Sequence, residues 1–255
     1  MTSIHSIGII TAIFGNYDFV PPVPTGFDSA VLISDRPVTS NWQNIVITPK
    51  LPPNLAAKIP KFRPDLFLDT DISVWIDANC RDIESWLRVA SDKIMERSDL
   101  AFFSHPSRTL VSEEIKASSK KLRYELINFD SQLDYYYSLG FKDDIGLFAG
   151  GVIVRKKNKQ NINLGNEWFI QNCMWNTQDQ ISLPFVLFKT GTTPAVFDEN
   201  IWEGPLSWVG RPTNFKSRAK DVKQIMKIYK AGYKSKAFIY SRQIISAAIS
   251  SRLGL

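Results

Sequence analysis

The sequence predicts an α/β fold, in which strands alternate with helices. Short, β-branched apolar runs of strand length recur along the chain, and a strand at Ile72–Ile76, a helix at residues 84–97 and a strand at Leu100–Ser104 follow one another in order. Hydrophobic residues make up 44% of the chain and charged residues 22%, which is the balance of a globular protein and argues against disorder.

The first third of the chain is predicted to be strand and loop. Residues 7–14, 30–34 and 45–48 are apolar runs of strand length. The connections between and after them contain prolines, which impose turns or extended backbone, at Pro21, Pro22, Pro24, Pro37, Pro49, Pro52 and Pro53. Residues 54–67 predict a short helix that begins near Asn54 and breaks at Pro60 or Pro64.

The elements after residue 110 are less regular in sequence. Residues 112–137 are polar and aromatic with helical character, residues 147–155 predict a glycine-interrupted strand, and residues 179–188 predict another buried element. We therefore expect one domain over residues 1–210.

A basic tail follows at residues 211–255. It carries eleven Lys and Arg against one acid, within a total net charge of +6. Val222, Ile225, Met226 and Tyr229 recur at helical spacing, and a separate stripe holds Lys220, Lys223, Lys227 and Lys230. This pattern predicts an amphipathic helix whose partner is anionic, either a membrane surface bound through residues 217–255 or a polyanionic glycan. Nucleic acid is not expected, because few aromatic residues lie between the basic ones.

The cysteines and the apolar runs bear on the cellular setting. Cys80 and Cys173 have no CxxC spacing, so neither a zinc site nor a disulfide framework is predicted. Neither a charged leader nor an apolar run long enough to span a membrane stands out. We expect a cytoplasmic protein, which the basic tail could hold at the inner face of the membrane.

Asp77 is the first candidate site residue. It follows the apolar run Ile72–Ile76, at the carboxyl end of a predicted strand, where open α/β sheets bind their ligands. With Asn79 two residues on, both side chains could face the same side of extended backbone and bind a divalent cation, Mn²⁺ or Mg²⁺, that bridges a diphosphate. Alternatively, Asp77 caps the turn or helix that follows.

Two neighbouring segments could hold the rest of a nucleotide. Lys58, Lys61 and Arg63 could neutralise diphosphate oxygens, or they could form a solvated basic turn. The loop after the first strand offers an aromatic ring, an amide and an acid to a uracil-like base and its ribose, through Phe14, Gly15, Asn16, Tyr17 and Asp18.

His105 is one of two histidines and follows the strand Leu100–Ser104. Arg108 and Glu114 come shortly after it. This position outside a strand end favours a donor-binding role for His105 and Arg108, and a structural, hydrogen-bonded histidine is the alternative.

The remaining candidates would contact sugars. Gly150 and Gly151 would let an acceptor sugar or a donor hexose approach the backbone, unless they mark a bulge. Trp168 and Trp175 could stack on sugar rings. Asp179 and Gln180 could hold hydroxyl groups or supply a catalytic base, and a helix cap is the alternative for Asp179.

Taken in order, these pieces resemble the glycosyltransferase-like family once known only as a domain of unknown function, which includes plant proteins described as alkaline ceramidase-like and mucilage-related. The matching stretches are residues 11–18, Lys61 with Pro64 and residues 66–67, residues 73–79, His105 with Arg108 and Glu114, residues 146–155, and residues 179–182. They leave the basic tail outside.

The resemblance implies a GT-A-like, Rossmann-related fold with a mixed central sheet flanked by helices and a nucleotide-sugar lying over the strand ends. By the same resemblance Asp77 takes the place of the DxD motif, Lys61 contacts phosphate, residues 16–18 contact the nucleotide, and residues 179–180 belong to the sugar or acceptor site. The implied activity is transfer from a UDP-linked donor to a glycan or a lipid-linked glycan. Two positions depart from the family pattern: Asp65 stands in place of a histidine and Gln178 in place of an arginine.

Two other functions stay open from the sequence. A lipid-amide hydrolase is suggested by the ceramidase description of some relatives, although two histidines and no close His/Glu cluster give it little support. A non-catalytic module that binds membranes or polyanions through the tail is the other.

Overall fold

The computed structural model describes residues 5–15, 18–81, 85–121, 124, 127–201 and 207–208. Asn16 and Tyr17 and the predicted basic helix of the tail therefore lie outside the described residues. The strands in the described part are β1 Ile7–Ile13, β2 Ser29–Ser34, β3 Gln43–Val46, β4 Ile72–Ile76, β5 Cys80–Arg81, β6 Leu100–Ser104, β7 Phe148–Lys156, β8 Ala195–Phe197 and β9 Ser207–Trp208.

The main sheet is mixed, as predicted. Its strand order is β3-β2-β1-β4-β7-β6-β8, and β7 is antiparallel to both of its neighbours while the other pairs are parallel. From β1 the chain forms β2 and β3 on one side and then returns to β4 on the other side. A topological switch point therefore lies between β1 and β4.

Helices cover both faces of this sheet. They are α1 Pro53–Ala56, α2 Lys58–Phe62, α3 Ser85–Met95, α4 Val111–Ser118, α5 Phe129–Ser138, α6 Lys159–Met174 and α7 Asp179–Thr190, with a short 3-10 helix at Pro64–Leu66. Within the part of the chain that the structure describes, no helix combines the length and the apolar character needed to cross a membrane.

Two apolar clusters cover the two faces of the sheet, and a third joins α4, α5 and α7. Along β1, Ile7, Ile9 and Ile13 face one apolar cluster, which also holds Leu87 of α3, and Ile10 faces the other, which includes residues of α2, α6 and α7. Because both faces are buried, β1 is buried throughout and is apolar except for Thr11, with no regular alternation of polar residues.

Most strands lie where the sequence predicts them, and the differences have simple causes. The segment 54–67 breaks at Arg63, directly before Pro64 as predicted, and also at Ala57. Helix α1 starts at Pro53, which suits a first helical position. Residues 112–137 form two helices, α4 and α5. Helix α6 is not predicted from the sequence, because it is rich in polar residues and its apolar stripe is narrow.

Helix α6 packs unusually close to α2. A Cβ atom on Gly165 would lie 2.1 Å from the carbonyl oxygen of Phe62, so only glycine fits at this crossing. One turn further on, the fully buried ring of Trp168 stacks on Phe62 with ring centroids 4.2 Å apart. Helix α2, which carries Lys58 and Lys61, is thus fixed from its inner side.

Candidate functional site

Charged residues converge at the carboxyl ends of the parallel strands. Asp77 directly follows β4, and Gly15 follows β1 on the other side of the switch point. Ligands of open α/β sheets bind in the crevice at this position. Lys58 and Lys61 reach this place from α2, and Asp179 reaches it as the first residue of α7.

These four side chains form one cluster, called here the lysine–carboxylate cluster: Lys58, Lys61, Asp77 and Asp179. Lys58 Nζ lies 2.7 Å from Asp179 Oδ2, and Lys61 Nζ lies 2.6 Å from the same oxygen. Lys61 Nζ also lies 3.3 Å from Asp77 Oδ1. The structure therefore brings together four of the predicted site residues, although they are distant in sequence.

Asp179 is ionised in this setting. Burial acts to raise the pKa of its carboxyl group, but the charges of Lys58 and Lys61 and their hydrogen bonds outweigh burial and hold the pKa well below the usual range. Its place at the start of α7 adds the positive end of a helix dipole. A carboxylate held in this way is a weak base, so the geometry favours a charge-positioning role over proton abstraction.

Asp77 forms the more open side of the cluster. Its side chain is 35% exposed, against 8% for Asp179. Its Oδ1 atom accepts a hydrogen bond of 2.9 Å from the indole N–H of Trp75 as well as the contact with Lys61. Its backbone N–H donates to the carbonyl oxygen of Gly151 at 2.8 Å. The carboxylate is thus held in place while part of it faces solvent.

The paired glycines mark the bulge considered for them, and the space beside Gly150 is occupied by side chains of the protein itself. The pairing of β6 with β7 shifts register next to Gly150 and Gly151, which is the bulge alternative. A Cβ atom on Gly150 would also lie 3.2 Å from Lys61 Nζ and 3.4 Å from Asp179 Oδ2. The missing side chain at Gly150 therefore makes room for the lysine–carboxylate cluster itself.

The metal pair predicted at Asp77 and Asn79 does not have the geometry assumed for it. The N–H of Cys80 donates to the carbonyl oxygen of Asp77 at 2.9 Å, so residues 77–80 form a tight turn and not the extended segment that would align the two side chains. Asn79 Oδ1 is buried and has no hydrogen-bond partner.

A divalent ion fits these residues poorly. An ammonium group already contacts the Asp77 carboxylate at 3.3 Å, and a second cation placed there would be repelled by it. Across the described ranges no group of three or more His, Cys, Asp or Glu side chains is close enough to hold a metal. The Oδ1 atom of Asn79, buried without a hydrogen-bond partner, is an atom that such an ion would satisfy.

A second polar cluster surrounds the fully buried Glu114. Its Oε2 atom accepts from Arg108 Nε at 2.6 Å, and its Oε1 atom accepts from Ser118 Oγ at 2.8 Å and from Gln178 Nε2 at 2.6 Å. Burial acts to raise the pKa of Glu114, but these hydrogen bonds and the charge of Arg108 lower it overall. The guanidinium group of Arg108 is therefore paired with Glu114, and little of its charge is left for a phosphate.

His105 belongs to this second cluster. Its Nδ1 atom accepts the backbone N–H of Arg108 at 3.0 Å, and its ring is 4% exposed. Burial, with the nearby charge of Arg108, lowers the pKa of His105, so its ring is neutral at physiological pH. The structural alternative considered for this histidine is the one that its contacts support.

Gln178 belongs to the second cluster and directly precedes Asp179, which belongs to the lysine–carboxylate cluster. Gln178 donates to Glu114, accepts from the hydroxyl group of Tyr124 at 2.9 Å, and donates to Gln180 Oε1 at 3.1 Å. An arginine at position 178, which the family resemblance leads one to expect, would place a second guanidinium beside Arg108. Asp179, the next residue, faces the lysines.

The loop after β1 differs from the prediction in one respect. Phe14 is 5% exposed and packs in the apolar cluster on the α2 side of the sheet, so its ring is not available to stack on a base. Gly15 has a φ of 67° and donates its N–H to Asp35 Oδ2 at 2.7 Å. Asp18 is half-buried. Asp35, at the end of β2, is a candidate for nucleotide contact that the sequence analysis missed.

The two tryptophans differ in how far they are open to sugars. Trp168 is fully buried between helices. Trp175 is half-buried, with its ring centroid 5.4 Å from that of Tyr135 and 6.5 Å from that of Tyr136. The prediction of sugar stacking is wrong for Trp168, whose ring is fully buried, and it stays a prediction for Trp175.

Trp168 and Arg155 support the cluster from behind, and the sequence analysis assigned neither residue that role. The indole N–H of Trp168 donates to the carbonyl oxygen of Asp179 at 3.0 Å. Arg155, 3% exposed, donates to the carbonyl oxygens of Phe62 at 3.1 Å and of Lys61 at 2.8 Å, which are the unpaired acceptors at the end of α2. For Arg155, the available sequence signal was an arginine within an otherwise apolar strand.

Comparison with known proteins identifies the chain as a glycosyltransferase-like domain. Residues 25–201 match the model of the family described as TOD1/MUCI70, glycosyltransferase-like domain, and the chain belongs to this family. The predicted family is confirmed, and the structure shows the mixed central sheet flanked by helices that the resemblance implied.

Solved structures of two glycosyltransferases are among those that resemble the chain. The galactosyltransferase LgtC, in complex with donor and acceptor sugar analogs, is 13% identical with a TM-score of 0.42, and the match covers 70% of each chain. Mouse xyloside xylosyltransferase 1, in its apo form, is 8% identical with a TM-score of 0.40, over 76% of this chain and 85% of that one. No curated protein matches the sequence.

Proposed function

We propose that the chain is a glycosyltransferase that moves a sugar from a UDP-linked donor to a glycan or a lipid-linked glycan. Its membership of a glycosyltransferase-like family supports a transferase. The single observation that carries the proposal further is the lysine–carboxylate cluster at the carboxyl ends of the strands, beside the switch point between β1 and β4.

Lys58 is the residue best suited to contact the donor diphosphate. Its side chain is 14% exposed and it contacts one carboxylate, that of Asp179, so N–H groups are left for phosphate oxygens. Lys61 is 5% exposed and contacts two carboxylates. A diphosphate leaving group needs positive charge directed at it as the glycosidic bond breaks, and Lys58 supplies a directed ammonium.

Asp77 and Gln180 are suited to hydroxyl groups. The exposed part of the Asp77 carboxylate can accept a hydrogen bond from a ribose or sugar hydroxyl, while Lys61 and Trp75 hold its Oδ1 atom in place. Gln180 is half-buried at the start of α7 and offers an amide to the sugar or the acceptor. Asp179 holds the two lysines in position.

We propose the class of acceptor from the basic tail. Residues 217–255 carry the basic stripe that the sequence predicts, and an anionic membrane surface is the partner that this stripe would bind. A lipid-linked acceptor would be presented at such a surface. We infer a cytoplasmic, peripheral location from the same feature.

Isothermal titration with UDP, and with GDP as the alternative nucleotide, tests the donor site. We expect UDP to bind the wild type and Lys58→Met to weaken binding about tenfold or more, because a charge-assisted hydrogen bond is lost. Lys157→Met is the matched control, since Lys157 forms an exposed pair with Asp69 away from the strand ends. Absence of binding to both nucleotides, or equal binding by wild type and Lys58→Met, would overturn the proposal.

A further inference from the structure

Lys61 occupies the place that a bridging cation would take. Its ammonium contacts Asp179 Oδ2 at 2.6 Å and Asp77 Oδ1 at 3.3 Å, and it lies 5.7 Å from the centre of the Trp75 ring. Two carboxylates that face each other across a donor site are the usual setting for a divalent ion. Here the positive charge between them belongs to the chain.

This ammonium is fixed and cannot swing away freely. The backbone of Lys61 is held through its carbonyl oxygen by Arg155, and its neighbour Phe62 is held by stacking on Trp168. The same Trp168 donates to the carbonyl oxygen of Asp179, so the lysine and its carboxylate share one support. On the β7 side the ammonium lies against the backbone of Gly150. A Cβ atom added to Gly150 would be only 3.2 Å from Lys61 Nζ.

The charges of the lysine–carboxylate cluster balance without any added ion. Two ammonium groups face two carboxylates, so a divalent cation would find no uncompensated negative charge there and would approach Lys61 as a like charge. An incoming diphosphate, by contrast, meets Lys58, whose contacts use one carboxylate. The cluster therefore favours binding of an anion, which can contact Lys58, over binding of a metal ion.

We propose that Lys61 is a built-in substitute for the divalent cation, so that the nucleoside diphosphate binds this site without metal. The proposal rests on the donor site proposed above and adds how that site neutralises charge. Lys61 bridges Asp77 and Asp179 and compensates one of their two negative charges, while Lys58, which also pairs with Asp179, carries the contact with phosphate. Asp77 then binds hydroxyl groups and is not a metal ligand.

The direct test titrates wild-type protein with UDP, and with GDP, once in EDTA and once in Mn²⁺. Equal affinity under the two conditions is the expected result. Binding that requires Mn²⁺, or that tightens about tenfold with it, would overturn this inference while leaving the proposed function intact. Absence of binding under both conditions would remove the proposed function and this inference with it. The comparison needs no variant, so it does not depend on how a substitution folds.

A second measurement follows Mn²⁺ alone by electron paramagnetic resonance. Wild type and the Lys157→Met control should leave Mn²⁺ free, whereas Lys61→Met should acquire a bound ion, because two carboxylates then lose the ammonium between them. Lys61→Arg keeps the positive charge and should leave Mn²⁺ free. Tight Mn²⁺ binding by the wild type, or by Lys61→Arg as strongly as by Lys61→Met, would contradict the inference.

Discussion

The ammonium of Lys61 lies 2.6 Å from Oδ2 of Asp179, and this contact joins the short helix α2 to the first residue of α7. Both side chains are nearly buried, with 5% and 8% of their surfaces exposed. The pair is therefore part of the protein interior and part of the candidate donor site. Changes at the site should consequently affect folding stability as well as binding.

Replacing Lys61 with methionine should lower the free energy of unfolding by about 3 kcal/mol, because it leaves buried carboxylate charge with a single ammonium partner. Urea denaturation at neutral pH measures this change. Lys157→Met, which removes an exposed ion pair, should stay within about 0.5 kcal/mol of wild type. Equal stabilities for the two variants would show that the Lys61 contacts contribute little to the fold.

Stability should fall in acid partly through Asp179. Its pKa is lowered in the folded state, so the unfolded chain takes up the proton first as the pH drops below the ordinary value of 3.8. The stabilisation is present above that pH and is lost as the pH falls further. Asp179→Asn should be less stable than wild type near neutral pH, and its loss of stability below about pH 4 should be shallower. Parallel stability curves from urea unfolding over this pH range would contradict the assignment.

Gly165→Ala should be strongly destabilising although alanine favours helices. The added Cβ atom would lie 2.1 Å from the carbonyl oxygen of Phe62, so α6 must move away from α2. We expect a loss of about 2 kcal/mol or more, against the gain of about 1 kcal/mol that alanine brings to an unobstructed helix. Asn163→Ala, on the exposed side of α6, is the control, and its free energy of unfolding should stay close to that of wild type. A Gly165→Ala variant as stable as wild type would mean that the two helices are not in contact.

Changing Lys220, Lys223, Lys227 and Lys230 together to glutamine should abolish binding to anionic vesicles. Each lysine near such a surface contributes about 1 kcal/mol, so the four together dominate the attraction. Sedimentation with phosphatidylserine vesicles at low and at physiological salt measures the loss, and UDP titration of the same variant should be unchanged. Salt-independent pelleting of both proteins would argue against the electrostatic tail.

Several features of the site were accessible from sequence because they depend on local pattern. A buried apolar run followed by an acid places Asp77 at a strand end, and the rule that ligands bind there makes it a candidate. Lys61 was found in the basic segment upstream of Asp77, and Gly150 as one of two glycines that interrupt a predicted strand. In each of these cases the informative signal lies within a few residues of the position concerned.

Other features depend on contacts between distant segments. Nothing near Asp179 in the sequence shows that its partners are Lys58 and Lys61, and a lone acid before an apolar run has the same appearance as a helix cap. Phe14 and Trp175 were expected to face ligands because they lie near strand or helix ends, yet their rings pack against protein. Burial of an aromatic ring is decided by packing, which local sequence does not encode.

A crystal structure of the protein with UDP, grown with EDTA, tests the central claim most directly. We expect the diphosphate within hydrogen-bond distance of Lys58 Nζ, at the carboxyl ends of β1 and β4, with Lys61 still between Asp77 and Asp179. A diphosphate bound elsewhere on the protein, or one bound here only after Mn²⁺ is added and with the ion on Asp77, would contradict the account.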